Sequence, residues 1–178
     1  MNPLNQFKLM AEYNQLMNQR LYKATSQLSD IEIKEDKGAF FKSIFGTLNH
    51  ILTGDIIWLN RFYKIPKKQE TLVYISEINQ PKSLDSQTFN TLSELKTERE
   101  KIDDIIIQWI SSLSEKDINF TVTYKNMQGI EFRKNLASLI NHLFLHQIHH
   151  RGQITTLLSQ SGVDFGETDL IEIIPNQN

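Results

Sequence analysis

The histidines are the residues whose chemistry and spacing are best suited to forming a metal site. Four of the five lie within nine consecutive positions, at His142, His146, His149 and His150, and the fifth is His50. The chain contains no cysteine, which excludes an internal thiol nucleophile, a disulfide framework and a zinc ribbon. Any metal must therefore be held by histidines and carboxylates.

Angular placement on a helix separates the four clustered histidines. At about 100° per residue, His150 falls inside the apolar stripe of its predicted helix and His146 falls at the margin of that stripe. His142 and His149 lie farther round, with His149 the most outward. Because His146 and His150 are four positions apart, both side chains can reach one ion at about 2.0–2.1 Å. This spacing predicts a pair of metal ligands.

A third candidate ligand, His50, lies on an earlier predicted helix between two glycines. Gly46 precedes it by four positions and Gly54 follows it by four, on the same helical face. Each glycine costs a helix interior about 1 kcal/mol relative to alanine, so the pair indicates that a helix, an ion or a ligand approaches closely. Asp55 lies off that face, which favours helix pairing or capping over ligation. A satisfied core histidine would show the same spacing, so both interpretations stay open at this point.

Long helical periodicity dominates the elements that must position these side chains, since only seven glycines and four prolines interrupt the chain. The first predicted long helix spans residues 3 to about 28, and the second follows Gly38 and ends near residue 63. The third begins between 85 and 91 and ends at 113, and the fourth spans about 135 to 161. A long crossover connection, 64–87, holds one short element at 72–75. Alternating residues at 120–134, with a turn at 126–129, predict a small β-hairpin before the last helix. The sequence predicts an all-α four-helix bundle that forms a single domain, 1–178.

Polar residues interrupt the predicted apolar stripes at a few positions. Asn14 lies in the apolar stripe of the first helix, where a buried amide needs hydrogen-bond partners. We expect it either to fix the register of the helices in the bundle or to hydrogen-bond a metal ligand. The charged run 98–104 of the third helix predicts a solvated face. Arg151 follows His150 but points about 100° away from it, which favours a contact between helices or subunits.

Composition and charge exclude several classes of protein. The 178 residues are 39% hydrophobic and carry a net charge of -2, which gives no general attraction to phosphate backbones or acidic membranes. We therefore expect no nucleic-acid partner. No uninterrupted apolar run exceeds four residues, so neither a signal peptide nor a membrane span is predicted. These features predict a cytoplasmic protein.

Several segments of the chain carry a resemblance to a known family. They are Tyr13-Asn14-Gln15-Leu16-Met17-Asn18, the run from Leu48 to Trp58 that includes Asn49-His50 and Gly54-Asp55, Asn141-His142 with His146-Gln147-Ile148-His149-His150-Arg151-Gly152-Gln153-Ile154, and Thr168-Asp169-Leu170. Over nearly the whole chain, the sequence resembles the DinB/YfiT-like superfamily of four-helix metalloproteins. One departure is Leu16, where many members have tryptophan, and this position affects core packing and leaves the ligand set intact.

The resemblance implies a bundle that holds one divalent metal with three histidines. Carried onto this chain, those ligands are His50, His146 and His150, the residues that packing direction and spacing also select. The resemblance further implies a homodimer. Slight support comes from three apolar residues on the side of the last helix away from its main stripe, some of which the hairpin or the tail could cover. They are Phe144, Leu145 and Ile148.

The chemistry of such a site favours a metal-dependent enzyme. Three neutral histidines leave at least one position on the ion for water or substrate. Resembling proteins include S-transferases and isomerases that use low-molecular-weight thiols, so we expect a thiol S-transferase or hydrolase acting on an electrophilic small molecule. The alternatives are a non-catalytic metal- or ligand-binding bundle and, ranked last, an interaction bundle without metal. Imidazole ligands leave the metal open among zinc, nickel, iron and copper. The polar residues nominated for the open face of the metal are Asn14, Asn18, Arg151 and Gln153.

Overall fold

Helices dominate the structure, a computed structural model that describes residues 2–65, 70–84 and 86–176. Helix accounts for 65% of the residues and strand for 7%. The long helices are α1 (Pro3–Thr25), α3 (Ile44–Tyr63), α5 (Leu92–Ser112) and α7 (Leu136–Gln160). The shorter elements are α2 (Asp30–Lys34), a 3₁₀-helix (Glu70–Leu72), α4 (Val73–Glu77), α6 (Glu115–Ile118), β1 (Thr121–Lys125), β2 (Glu131–Asn135) and a second 3₁₀-helix (Leu170–Ile173).

Side-chain caps fix where the long helices begin. The Asn2 side chain accepts a hydrogen bond from the backbone N–H of Leu4, and Pro3 supplies the first helical residue of α1. At α5, Thr91 and Glu94 form a reciprocal capping box, in which each side chain accepts a hydrogen bond from the backbone N–H of the other residue. Each cap satisfies backbone donors that the first helical turn leaves free, so these sequence signals set the boundaries directly.

The four long helices pack as the predicted bundle. Both α1 and α3 contact α5 and α7, so α1 and α3 occupy opposite corners of the bundle and α5 and α7 the other two. All four contribute to one core of buried side chains, in which the rings of Phe62 and Trp109 stack with centroids 4.9 Å apart. This arrangement places one face of α3 against one face of α7, and those faces carry the candidate ligands.

The predicted β-hairpin is present and leads directly into α7. β1 pairs with β2 in antiparallel register, with Tyr124 opposite Phe132. Asn135 is both the last residue of β2 and the N-cap of α7, since its side chain accepts a hydrogen bond from the Ser138 N–H. The hairpin is therefore held at the start of the helix that carries His146 and His150.

Three expectations about local structure are wrong. The segment after Gly38 is not helical until Ile44, because Lys42 has a φ of 66° and Ser43 caps the helix there. Within the charged run 98–104, Arg99 and Asp103 are each only 2% exposed, because they pair with buried groups. Phe144 is buried in the core and does not belong to an exposed apolar face.

Boundaries elsewhere differ by a few residues. α1 ends at Thr25 rather than near position 28, and the chain then turns into the short α2. None of the helices in the described part of the chain is long and apolar enough to cross a lipid bilayer.

Candidate metal centre

The Nε2 atoms of three histidines converge between α3 and α7. Nε2 of His50 lies 3.0 Å from Nε2 of His146 and 3.2 Å from Nε2 of His150. Two imidazole nitrogens bound tetrahedrally to one ion at 2.0–2.1 Å stand about 3.3 Å apart, so the cluster has the dimensions of a metal site. Within residues 2–65, 70–84 and 86–176, no other group of three such side chains is arranged to hold an ion.

Hydrogen bonds to the far ring nitrogens set which tautomer two of these histidines adopt. His50 donates from Nδ1 to the Leu84 carbonyl oxygen at 2.7 Å, and a carbonyl oxygen can only accept. His150 donates from Nδ1 to Oε1 of Gln153 at 2.8 Å, while the Gln153 amide nitrogen faces His149. With both Nδ1 atoms protonated, the two Nε2 atoms present lone pairs to each other across 3.2 Å. Such facing lone pairs repel, and a cation between them removes the repulsion.

A glycine provides the room that His146 needs. A Cβ atom at Gly54 would lie 2.8 Å from Cε1 of the His146 ring, which is closer than such atoms approach. The close approach that the sequence predicts at this glycine is therefore the packing of the His146 ring from α7 against the backbone of α3. The ring could not adopt its present position beside any larger residue.

The second glycine, Gly46, admits a different neighbour. A Cβ there would overlap the Phe41 carbonyl oxygen, so Gly46 lets the segment before α3 fold back onto the helix. The Phe41 ring consequently stacks on the His50 ring, with centroids 3.7 Å apart and an interplanar angle of 17°, and meets His150 edge-on. Phe41 thus covers one side of the cluster.

Burial keeps the three imidazoles neutral. Burial, followed by the charges of the neighbouring histidines, lowers the pKa of His146 to about 3. Burial also lowers the pKa values of His50 and His150, partly offset by the hydrogen bonds to Leu84 and Gln153. Neutral imidazole is the form that binds metal, so all three rings are in the ligating state at neutral pH.

The remaining two histidines lie outside the cluster, as their angular placement predicts. His142 is exposed and its ring packs edge-on against Trp58 at 5.1 Å. His149 is exposed, and its Nε2 contacts the Gln153 amide. The His149 ring packs edge-on against the His150 ring with centroids 4.8 Å apart, but its nitrogens are not among those that converge.

Comparison with known proteins identifies the family of this chain. The sequence model of the DinB family matches residues 1–176. The chain belongs to the DinB family. It is also similar to "Protein DinB" of Bacillus subtilis (strain 168), with 27% identity over 168 residues that cover 92% of this chain and 90% of the relative.

In this member of the DinB family, a buried polar network crosses the bundle beside the cluster. Arg151 of α7 donates to the side-chain oxygens of Asn14 and Asn18 on α1. Both asparagines donate to Asp103 of α5, at 3.1 and 3.0 Å. Asp103 pairs with Arg99 of the same helix at 2.9 Å. Arg99 in turn pairs with Asp55 of α3, which confirms the helix-pairing role expected of Asp55.

This network changes the interpretation of the nominated polar residues. Asn14, Asn18 and Arg151 are buried in contacts between helices, and of the four nominated side chains only Gln153 has a described hydrogen bond to a clustered histidine. Sequence reasoning missed the roles of Phe41 and Leu84. Leu84 acts through its backbone carbonyl, which leaves no mark in residue type, and Phe41 lies in a connection whose path depends on packing.

Proposed function

We propose that this DinB-family protein is a metal-dependent enzyme in which His50, His146 and His150 hold one divalent ion. The observation that carries the proposal is the convergence of the three Nε2 atoms, with those of His50 and His150 3.2 Å apart and their Nδ1 atoms hydrogen-bonded to Leu84 and Gln153. Neutral imidazoles suit zinc, nickel, iron and copper. Three protein ligands are typical of catalytic zinc sites, in which a further position takes water or substrate.

The bound ion would supply positive charge that lowers the pKa of a thiol or a water molecule to near neutrality. The chain's own residues supply the arrangement around it. The Leu84 carbonyl and Gln153 Oε1 accept hydrogen bonds from Nδ1 of His50 and His150 and so orient these two imidazoles. Gly54 leaves room for the His146 ring, and the Phe41 ring covers one side of His50. Such outer contacts orient ligands and raise their basicity.

The absence of cysteine determines where a reacting thiol would come from. Because the sequence contains no cysteine, a reacting thiol must be a separate small molecule. We therefore propose a low-molecular-weight-thiol S-transferase that acts on an electrophile, or a hydrolase in which water replaces the thiol. The family membership supports this choice, and the metal stays open among zinc, nickel, iron and copper.

Conjugation of low-molecular-weight thiols to a chromogenic electrophile tests the catalytic proposal, with an ester of the same chromophore as the hydrolase arm. A free thiol of pKa near 8.5 is only a few per cent ionised at neutral pH, so full ionisation alone gives roughly a ten- to a hundred-fold rate increase. Wild type and His149→Ala should show at least this increase, and His150→Ala should fall to the uncatalysed rate.

Equal rates for wild type and His150→Ala on every thiol and ester, in samples of known metal content, would remove the enzyme proposal. The non-catalytic metal-binding bundle would then be the better account. Metal content is measured independently, so loss of metal and loss of catalysis remain separate results.

A further inference from the structure

A groove extends from the histidine cluster along the β-hairpin. Its inner chamber has a volume of about 520 Å³ and is lined by His50, Gly54 and His146 at one end. An outer chamber of about 420 Å³ continues it toward Lys64 and Lys125. The two chambers share four lining residues and therefore lie next to each other. The shared residues are Ile57, Arg61, Tyr124 and Met127.

The wall nearest the cluster is aromatic and apolar. Trp58 of α3 and Tyr124 of β1 meet edge-to-face with ring centroids 5.2 Å apart, and both rings are half-buried. Met127, in the hairpin turn, is 48% exposed beside them. An apolar ligand would gain free energy by covering these groups, and aromatic and thioether side chains accommodate flat rings well.

Arg61 lies where the two chambers meet, and its guanidinium is held in place. The guanidinium carbon lies 4.4 Å from the centroid of the Trp58 ring and 4.7 Å from that of Tyr124. Nη2 donates to the Lys125 carbonyl oxygen at 3.3 Å. These contacts fix the plane of a group that has five donors, and among the described residues only the Lys125 carbonyl accepts a hydrogen bond from it.

The charges around Arg61 favour an anion. In the part of the chain that the structure describes, no carboxylate lies within ion-pair distance of its guanidinium. The described lining of the two chambers carries three cationic side chains, Arg61, Lys64 and Lys125, against the single carboxylate of Glu131. A half-buried arginine that an aromatic pair orients is a typical receptor for a carboxylate, sulfonate or phosphate group.

We propose that this groove binds an organic anion with an apolar aromatic body, its ring against Met127 and the exposed edges of Trp58 and Tyr124 and its anionic group on Arg61. The body then extends toward His50 and His146, where the chemistry would take place. The identification of this anion as the electrophilic substrate rests on the proposed function. Binding itself requires neither catalysis nor a metal.

The test compares two fluorescent probes that differ in one charged group. Anilinonaphthalenesulfonate has an aromatic body with a sulfonate, and N-phenylnaphthylamine has the same body without it. Each is titrated into full-length protein, both metal-free and metal-loaded, for wild type, Arg61→Gln and Arg133→Gln. Arg133 is an exposed arginine of β2 outside the groove lining, so it controls for net charge.

We expect Arg61→Gln to weaken binding of the sulfonate probe at least tenfold and to change binding of the neutral probe less than twofold. Arg133→Gln should leave both affinities within twofold of wild type. Circular dichroism checks that each variant is folded, and Arg61→Lys, which keeps the charge and loses the planar fork, should give an intermediate loss.

Two results would overturn the proposal. One is equal affinity of the sulfonate probe for wild type and Arg61→Gln, which would place the probe elsewhere. The other is an equal loss for both probes, which would make Arg61 a structural support of the aromatic wall. Because probe binding is also measured on the metal-free protein, a failure of metal binding or of thiol conjugation does not change the interpretation of these two results.

Discussion

At the scale of single residues, the contact between Gly54 and the His146 ring controls the geometry of the histidine cluster. Gly54→Ala should displace that ring, because the added Cβ would lie 2.8 Å from Cε1. We predict at least a tenfold loss of metal affinity, measured by competition with a chromogenic chelator, in a protein that stays folded.

The matched control is Gly152→Ala on α7, where an added Cβ meets nothing within 4 Å. This variant should keep wild-type metal affinity and gain about 1 kcal/mol of stability from the better helix propensity of alanine. If Gly54→Ala bound metal as tightly as Gly152→Ala, the close approach at Gly54 would have no bearing on the site.

The low pKa of His146 predicts how acid affects the metal-free protein. Its pKa is about 3 in the fold and about 6.5 in an unfolded chain. Between these values only the unfolded chain binds the proton, so the free energy of unfolding declines as pH falls below about 6.5. The Tm in the presence of a chelator should therefore fall between about pH 7.5 and pH 5, less steeply in His146→Gln than in wild type. His149→Gln is the control, and the same slope in all three proteins would contradict the prediction.

Some site residues could be predicted from the sequence because their signal is local. The spacing of His146 and His150 and the glycine beside His50 select the three side chains that the structure brings together. The Leu84 carbonyl could not be predicted, since any residue type supplies one. Its position depends on how the connection before α5 packs against α3, which is a tertiary effect.

At the scale of helices, the buried polar network fixes how the four long helices align. Removing one partner of a buried pair leaves the other charge without compensation, at a cost of about 3–5 kcal/mol. Arg99→Met, which strips both Asp55 and Asp103 of their ion pair, should lower the free energy of unfolding by that amount in urea denaturation.

Lys96→Met on the same helix is the matched control for this substitution. Lys96 pairs with Glu100 at 3.9 Å, and both side chains are 55% exposed. Exposed pairs contribute about 0–1 kcal/mol, so this variant should unfold close to wild type. Equal stability of the two variants would show that the network does not hold the bundle together.

The helices themselves were predictable where apolar periodicity or a cap marks them. α5 and its capping box follow directly from the sequence, and so does the hairpin before α7. The charge of Arg99 favours a solvated face, but the residue lies in register with buried Leu95 and Ile102. The short α2 has the capping-box spacing of Ser29 and Glu32, but its five residues give too little periodicity to predict a helix.

At the scale of the whole molecule, we propose that two chains associate through the outer face of α7. Leu145 is 62% exposed there and Ile148 is half-buried, although Phe144, expected on the same face, is in the core. Light scattering at high micromolar concentration should give about twice the 20.8 kDa mass of one chain. Leu145→Lys should reduce this to one chain, and Ile31→Lys, at an exposed position of α2, should not. A monomeric wild type would contradict the prediction.

Three particular histidines should hold one divalent ion per chain. Mass spectrometry of the metal content, on protein purified without an affinity tag or added metal, measures this stoichiometry. We predict one ion per chain in wild type and in His142→Ala and His149→Ala, and loss of the ion in His50→Ala, His146→Ala and His150→Ala. Full metal content in His50→Ala together with loss in His142→Ala or His149→Ala would contradict the account.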